Sequence, residues 1–121
     1  MQSFHATVTE CARLYGDTHI LWLQRPDILA SSRPGEFLMT SIGDGLDPLL
    51  GRALSIHRTR EGRHGTEFAL LFAMVGRGTD WLARRNAGDE IRFVGPLGHG
   101  FEPRPRVQRM LLVGGGIGCA P

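Results

Sequence analysis

Residues 52–58 have the sequence RALSIHR and are predicted to form a short β-strand. Alternate side chains of a strand share a face, so Arg52, Leu54 and Ile56 point one way and Ser55 points the other. The guanidinium of Arg52 offers a fork of donors that suits a pyrophosphate, and the Ser55 hydroxyl can bond the edge of a flat heterocycle. An ordinary core strand with one arginine at its rim explains the same residues, and both interpretations stay open here.

Composition limits the class of protein. The 121 residues suffice for one domain, and their 41% apolar content is normal for a soluble fold. No apolar run approaches the ~20 residues that span a bilayer, and the N-terminus lacks a secretory signal, so we expect a cytoplasmic protein with no membrane contact. A formal net charge of +2 gives no reason to expect nucleic-acid binding. The two cysteines, Cys11 and Cys119, are too few to ligate an iron–sulfur cluster, so a [2Fe–2S] centre is not possible in this chain.

Short strands dominate the remaining sequence. Residues 4–15 alternate in part between apolar and polar side chains, as a half-buried strand does, and glycines and prolines divide the rest into short segments. Strands are predicted at 4–15, 19–24, 36–42, 52–58, 67–75 and 90–94, with loops at 43–51 and 58–66 and one helix over 79–86, capped by Thr79. Six short strands and one helix indicate an all-β fold, a small antiparallel Greek-key barrel over residues 1–105.

The last sixteen residues differ from the barrel. Residues 110–113 predict a seventh strand, which runs into the glycine cluster 114–118 as at the opening of a parallel α/β nucleotide-binding domain. A strict G-x-G-x-x-G motif fails because Cys119 occupies the position of the last glycine, and a flexible end explains the glycines equally well. We expect residues 106–121 to be the first strand and turn of a truncated NAD-binding domain.

A second candidate site is the segment 76–79, with the sequence GRGT, which leads into the predicted helix. Free N–H groups at a helix start attract anions, and Gly78 allows a phosphate to approach the backbone closely. A tight turn with a threonine cap is the alternative. Neighbouring antiparallel strands bring the start of one beside the end of the next. We therefore predict that Arg52 and the pair Gly78 and Thr79 meet on one dinucleotide pyrophosphate.

Four motifs follow one another in a familiar order: RALSI at 52–56, VGRGT at 75–79, GPLGHGF at 95–101 and LLVGGGIGCAP at 111–121. This order resembles the ferredoxin–NADP⁺ reductase superfamily, and within it the electron-transfer subunit of class 1B dihydroorotate dehydrogenase. The resemblance covers nearly the whole chain. It implies an FAD-binding barrel followed by an NAD-binding domain.

The resemblance also implies roles for individual residues. Arg52 would meet the FAD pyrophosphate, and Ser55 would lie near the reactive edge of the flavin. The other implied FAD contacts are Ala53, Leu54, Leu71, Phe72, Ala73, Gly78 and Thr79, and the implied nucleotide contacts are Gly115, Gly116 and Gly118. Two positions depart from the pattern of the family, since relatives often have proline where Ala53 stands and arginine where Ala73 stands.

The function implied by the resemblance is electron transfer. Electrons would pass from NAD(P)H through FAD to a catalytic flavoprotein subunit, of the dihydroorotate dehydrogenase type of pyrimidine biosynthesis. We expect NAD(P)H to be a substrate only in a longer chain, and the 121 residues alone to lack NADH-dependent activity. The alternative is a non-catalytic module that carries FAD or docks a partner subunit.

Overall fold

The computed structural model describes residues 2–43 and 51–121, so residues 44–50 of the predicted loop 43–51 lie outside the described residues. It contains six strands and one short helix, as the sequence predicts. Their bounds are β1 Gln2–Tyr15, β2 Thr18–Gln24, β3 Phe37–Thr40, β4 Arg52–Gly62, β5 Gly65–Ala73, α1 Arg77–Ala83 and β6 Glu90–Leu97.

The six strands close into an antiparallel barrel in the order β1-β2-β5-β4-β3-β6. Strands β3, β4 and β5 are consecutive neighbours, and β6 returns to lie beside β3, which is a Greek-key connection. Closure leaves the strands without a free outer edge. The predicted Greek-key barrel is therefore confirmed.

The barrel interior is filled by large apolar side chains from alternate strand positions. Phe68 and Phe93 are fully buried and meet edge to face, with 5.9 Å between ring centroids. Leu82 of α1 is also fully buried, so the helix packs its apolar side onto this core. A smaller apolar cluster centred on Trp22 contains the alternate residues of β2 and β5. These two clusters explain why β2 and β5 are apolar on both faces.

Strand β4 contributes to two parts of the barrel. Its first residues pair with β3, from Thr40 opposite Arg52 to Phe37 opposite Ser55. Its later residues pair with β5, and this ladder begins at Ile56 opposite Leu70, beside a bulge. The start of β4 and the end of β5 therefore both lie beyond the ladder that joins these strands.

The prediction of a polar loop at 58–66 is wrong over most of that range. Strands β4 and β5 continue through it as a hairpin, and the turn is confined to Arg63 and His64. The side chain of Arg60 lies over the Trp22 ring at 3.9 Å and pairs with Glu67 at 2.6 Å. Cross-strand contacts of polar side chains hold this extension together, and hydrophobic periodicity cannot reveal such contacts.

The predicted strand at 110–113 is also absent from the structure. These residues are in irregular backbone, and Leu111, Leu112 and Val113 are 84–89% exposed. A parallel strand needs a neighbouring strand for its hydrogen bonds, and the ladders of the described residues involve only β1 to β6. The apolar sequence therefore does not form a strand in the part of the protein described here.

The helix begins earlier than predicted, at Arg77 rather than Thr79. Gly76 is the N-cap residue, and Thr79 is the third residue of the helix. Asp80 lies in the first turn and forms an ion pair of 2.9 Å with Arg84, one turn later. Within residues 2–43 and 51–121, no helix has the length and apolar character needed to cross a bilayer.

Candidate functional site

The two segments predicted to share a ligand lie against each other. A Cβ atom built on Gly78 would be 3.2 Å from Nε of Arg52 and 3.4 Å from its Cγ atom. The same Cβ would lie 3.4 Å from Cγ1 of Ile42, which follows β3. The arginine that opens β4 and the first turn of α1 are therefore in contact, and their meeting on a pyrophosphate stays a prediction.

The remaining residues of the first motif lie at the start of β4. Ala53 is exposed, and Leu54 and Ser55 are half-buried. Leu54 packs against the main core, as the alternation of the strand predicts. The Ser55 hydroxyl makes no hydrogen bond within residues 2–43 and 51–121, so its donor and its lone pairs remain available.

The three residues predicted at the end of β5 differ in exposure. Leu71 and Ala73 are half-buried, whereas the Phe72 side chain is 2% exposed and belongs to the main core. Phe72 also stacks on His19, with 5.8 Å between ring centroids. Phe72 can therefore offer a ligand only its backbone, while Leu71 and Ala73 retain partly accessible side chains.

The Thr79 hydroxyl is used in the turn before α1, and its predicted contact with FAD stays a prediction. Its Oγ1 accepts hydrogen bonds from the backbone N–H groups of Val75, at 2.9 Å, and Gly76, at 3.2 Å. The same hydroxyl donates a hydrogen bond to the carbonyl oxygen of Gly76, with 3.2 Å between the two oxygen atoms. These bonds use the donor and both lone pairs of the hydroxyl. Thr79 therefore fixes the turn before α1 and holds Gly78 against Arg52.

The predicted nucleotide contacts Gly115, Gly116 and Gly118 lie outside the six barrel strands. They are exposed, in a segment that ends in a 3₁₀ turn over Ile117–Cys119. This segment is attached to the barrel through His57, whose Nδ1 donates to the carbonyl oxygen of Ala120 at 2.7 Å. Their predicted contact with a nucleotide stays a prediction.

Sequence reasoning missed Ile42 and His57. Ile42 contacts the Gly78 position only because β3 ends beside β4 and α1. His57 contacts Ala120 across more than sixty residues of sequence. Neither residue belongs to a motif, and only the three-dimensional arrangement identifies them.

Known proteins resemble this chain along its whole length. It is 36% identical over 118 residues to the dihydroorotate dehydrogenase B (NAD(+)) electron transfer subunit of Desulforamulus reducens, covering 98% of this chain and 44% of the relative. The same subunit of Bacillus mycoides is 36% identical over 123 residues, covering 100% of this chain and 47% of the relative. This chain is a homologue of dihydroorotate dehydrogenase electron transfer subunits. It spans less than half the length of these two relatives.

The solved structures agree with the barrel. The ferredoxin reductase of carbazole 1,9a-dioxygenase superposes with a TM-score of 0.77 at 25% identity, covering 98% of this chain and 36% of that chain. The NADH-dependent reduced ferredoxin–NADP oxidoreductase, whose structure was described in connection with flavin-based electron bifurcation, shares the fold. It superposes with a TM-score of 0.66 at 24% identity, covering 80% of this chain and 34% of that chain. No family model matches the chain. The resemblance to ferredoxin reductases inferred from the four motifs is confirmed.

Proposed function

We propose that this chain binds FAD between the start of β4, the end of β5 and the turn before α1. We further propose that it belongs to an NAD(P)H-dependent reductase that passes electrons to a catalytic flavoprotein subunit. The observation that carries the proposal is the contact between Arg52 and Gly78. It puts a forked cation against the start of the helix, at a position where an added side chain would meet Arg52 and Ile42.

The residues present fit the phosphates of such a cofactor. Arg52 would bond phosphate oxygens, and the absence of a side chain at Gly78 lets the Arg52 side chain lie close to the start of the helix. Helix α1 has only seven residues, so we assign the main electrostatic contribution to Arg52 rather than to the helix dipole. Thr79 contributes indirectly, because its three hydrogen bonds hold the turn in position.

The residues beyond the phosphates fit a flat ring system. The β4–β5 ladder stops at Ile56 and Leu70, which leaves the start of β4 and the end of β5 unpaired with each other. Leu54 and Leu71 are half-buried, the first packed on the main core and the second on the Trp22 cluster, and Ser55 offers a hydroxyl without a partner in the described part of the chain. We assign Ser55 to a hydrogen bond at the polar edge of the flavin.

Bound FAD would supply the redox chemistry, by accepting hydride from a nicotinamide and releasing single electrons. This chain's own residues would bind and orient the cofactor, and no acid or base side chain is needed for hydride transfer. Since the chain spans less than half of its relatives, we propose NAD(P)H as the reductant only for a chain of their length. Within residues 106–121, Gly115, Gly116 and Gly118 would contact that nucleotide.

Reconstitution with FAD tests the cofactor assignment. The purified chain should retain FAD after the free cofactor is removed by gel filtration, and Arg52→Ala should weaken binding by about 1.5–3 kcal/mol, as for a hydrogen bond to a charged group. Arg106→Ala, in the exposed C-terminal segment, removes the same charge and is the matched control. Equal affinity of the two variants would show that the cofactor is held elsewhere.

The flavin itself reports on the remaining assignments. Ser55→Ala should retain FAD but shift the flavin reduction potential or the rate of its reduction by dithionite. If neither changes, Ser55 does not tune the flavin. In a chain of the relatives' length, a yellow protein that NADH bleaches is a reductase, and a yellow protein that NADH leaves oxidised is a flavin-carrying module. Binding to a dihydroorotate dehydrogenase catalytic subunit, measured by co-purification, tests the partner.

A further inference from the structure

The third of the four sequence motifs, GPLGHGF at 95–101, contributes none of the residues assigned to FAD. In the structure it forms the end of β6 and the loop that follows. The backbone N–H of Phe101 donates to the carbonyl oxygen of Pro34 at 2.7 Å, and Arg33 pairs with Glu102 at 2.7 Å. These two contacts attach the loop to the segment that leads into β3.

Gly98 of this loop lies against the ring of Phe37, the first residue of β3. A Cβ atom built on Gly98 would be 3.3 Å from Cε1 and 3.4 Å from Cδ1 of that ring. Gly98 also has a φ of +88°, a conformation that glycine adopts far more readily than other residues. Leu97, the preceding residue, is the neighbour of Phe37 in the ladder of β3 and β6. The motif therefore bounds the Phe37 side chain on the side of β6.

On the side of β4, Phe37 lies opposite Ser55. The backbone N–H of Ile56 donates to the carbonyl oxygen of Glu36 at 3.1 Å. Hydrogen-bonded and non-hydrogen-bonded pairs alternate along an antiparallel ladder, so Phe37 and Ser55 form a non-hydrogen-bonded pair. The side chains of such a pair share a face, with ~4.5–5.5 Å between their Cβ atoms. Phe37 and Ser55, both half-buried, are therefore close cross-strand neighbours.

We propose that Phe37 is a positioning residue for the Ser55 hydroxyl, and that the GPLGHGF motif holds Phe37 in place. This rests on the proposed function, in which Ser55 bonds the edge of the flavin. A serine hydroxyl has three staggered positions about the Cα–Cβ bond. The Phe37 ring takes the space on the β3 side, so the hydroxyl is left with the positions that face away from β3. The ladder of β4 and β5 has already stopped on that other side, where the flavin is assigned.

The rotamer of Ser55 in the chain without FAD is the first measurement. Scalar couplings between its α and β protons, measured by NMR, report how the three rotamers are populated. One rotamer should dominate in the unsubstituted chain, and Phe37→Leu should bring the couplings toward the average of several rotamers. Phe4→Leu is the matched control, because Phe4 is also half-buried but lies on β1, which pairs with β2 and β6. It should leave the Ser55 couplings unchanged.

The FAD-loaded chain gives the second measurement, the equilibrium between oxidised and reduced flavin against a reference dye. Spreading one rotamer over three lowers the population of the bonded rotamer up to about threefold. Phe37→Leu should therefore change the equilibrium constant for flavin reduction by about two- to threefold, which is ~9–14 mV for a two-electron couple. The direction should be that of Ser55→Ala, and in the Ser55→Ala background Phe37→Leu should add nothing.

A pair of glycine substitutions tests the part assigned to the motif. Gly98→Ala adds a methyl group against the Phe37 ring, whereas Gly88 has a similar φ of +97° and no neighbour within 4 Å of an added Cβ. Both substitutions strain the backbone, so both should lower the stability measured by urea unfolding. Only Gly98→Ala should alter the Ser55 couplings and the flavin equilibrium. Equal effects of the two alanines on these readouts would separate the motif from Phe37.

Four results would overturn the proposal. Unchanged Ser55 couplings in Phe37→Leu would mean that the ring does not fix the hydroxyl. Altered couplings with an unchanged flavin equilibrium would remove the functional role. An equal effect of Phe4→Leu would indicate a general loosening of the barrel. A flavin effect of Phe37→Leu that persists in the Ser55→Ala background would mean that the ring acts without Ser55. A chain that retains no FAD would instead refute the proposed function, and the couplings would still decide whether Phe37 fixes Ser55.

Discussion

Replacement of Gly78 by alanine should weaken FAD binding while the fold remains intact. The added Cβ would lie 3.2 Å from Nε of Arg52 and 3.4 Å from Cγ1 of Ile42. Carbon atoms prefer ~3.5–4.0 Å to their neighbours, so the Arg52 side chain must move by a few tenths of an ångström. Gly78 is not among the glycines with positive φ, and alanine is favoured over glycine within a helix by ~0.5–1 kcal/mol. Stability should therefore stay constant or rise.

The expected loss of affinity follows from the displacement of Arg52. Holding a side chain away from its preferred rotamer costs ~0.5–1.5 kcal/mol, which corresponds to about two- to twelvefold weaker binding. Complete removal of the guanidinium in Arg52→Ala should cost about 1.5–3 kcal/mol, or roughly 10- to 150-fold. If Gly78→Ala acts through Arg52, it should cost little more in the Arg52→Ala background.

FAD titrations of the four proteins of this cycle measure the coupling, and urea unfolding measures their stability. Weaker binding by Gly78→Ala together with unchanged or higher stability would separate the site from the fold. Two results would refute the reasoning. One is undiminished FAD affinity in Gly78→Ala. The other is a full additional loss in the Arg52→Ala background, which would mean that the alanine disturbs the cofactor without Arg52.

Two further predictions concern the barrel. Burial alone would raise the pKa of Glu67, but the nearby Thr9 side chain and Arg60 guanidinium lower it below its ordinary value. Its ionised form therefore stabilises the fold above its unfolded pKa, and this stability is lost as the pH falls through the lowered pKa. Glu67→Gln should cost about 1–3 kcal/mol at neutral pH and flatten the fall in stability as the pH drops below the ordinary pKa of a glutamate; an unchanged slope would contradict this. Thr40 is fully buried, and its Oγ1 has no hydrogen-bond partner among the described residues. Thr40→Val should raise the free energy of unfolding by ~1 kcal/mol and Thr40→Ser should lower it, whereas a less stable valine variant would reveal a partner of the hydroxyl.

Regular strands and the helix were predictable because their signals are local. The alternation of residues 4–15 and the apolar run in β5 depend only on neighbours in sequence. The errors have a common cause. The hairpin at 58–66 is held by contacts of Arg60 across strands, and residues 110–113 have no neighbouring strand in the described part of the chain. In both cases the pairing of one strand with another decides the structure, and the pattern of apolar and polar residues along the sequence does not show which strands pair.

The sequence by itself determined the six strands, the helix, and the presence of an arginine and a glycine turn that suit a phosphate. Tertiary structure alone decided that Arg52 touches Gly78, because the register of β4 against β3 and the path of the chain into α1 set that distance. It also decided that the Thr79 hydroxyl is used within its own turn. Closure of the barrel sets these contacts, since burial of the apolar side chains fixes which polar residues share a surface.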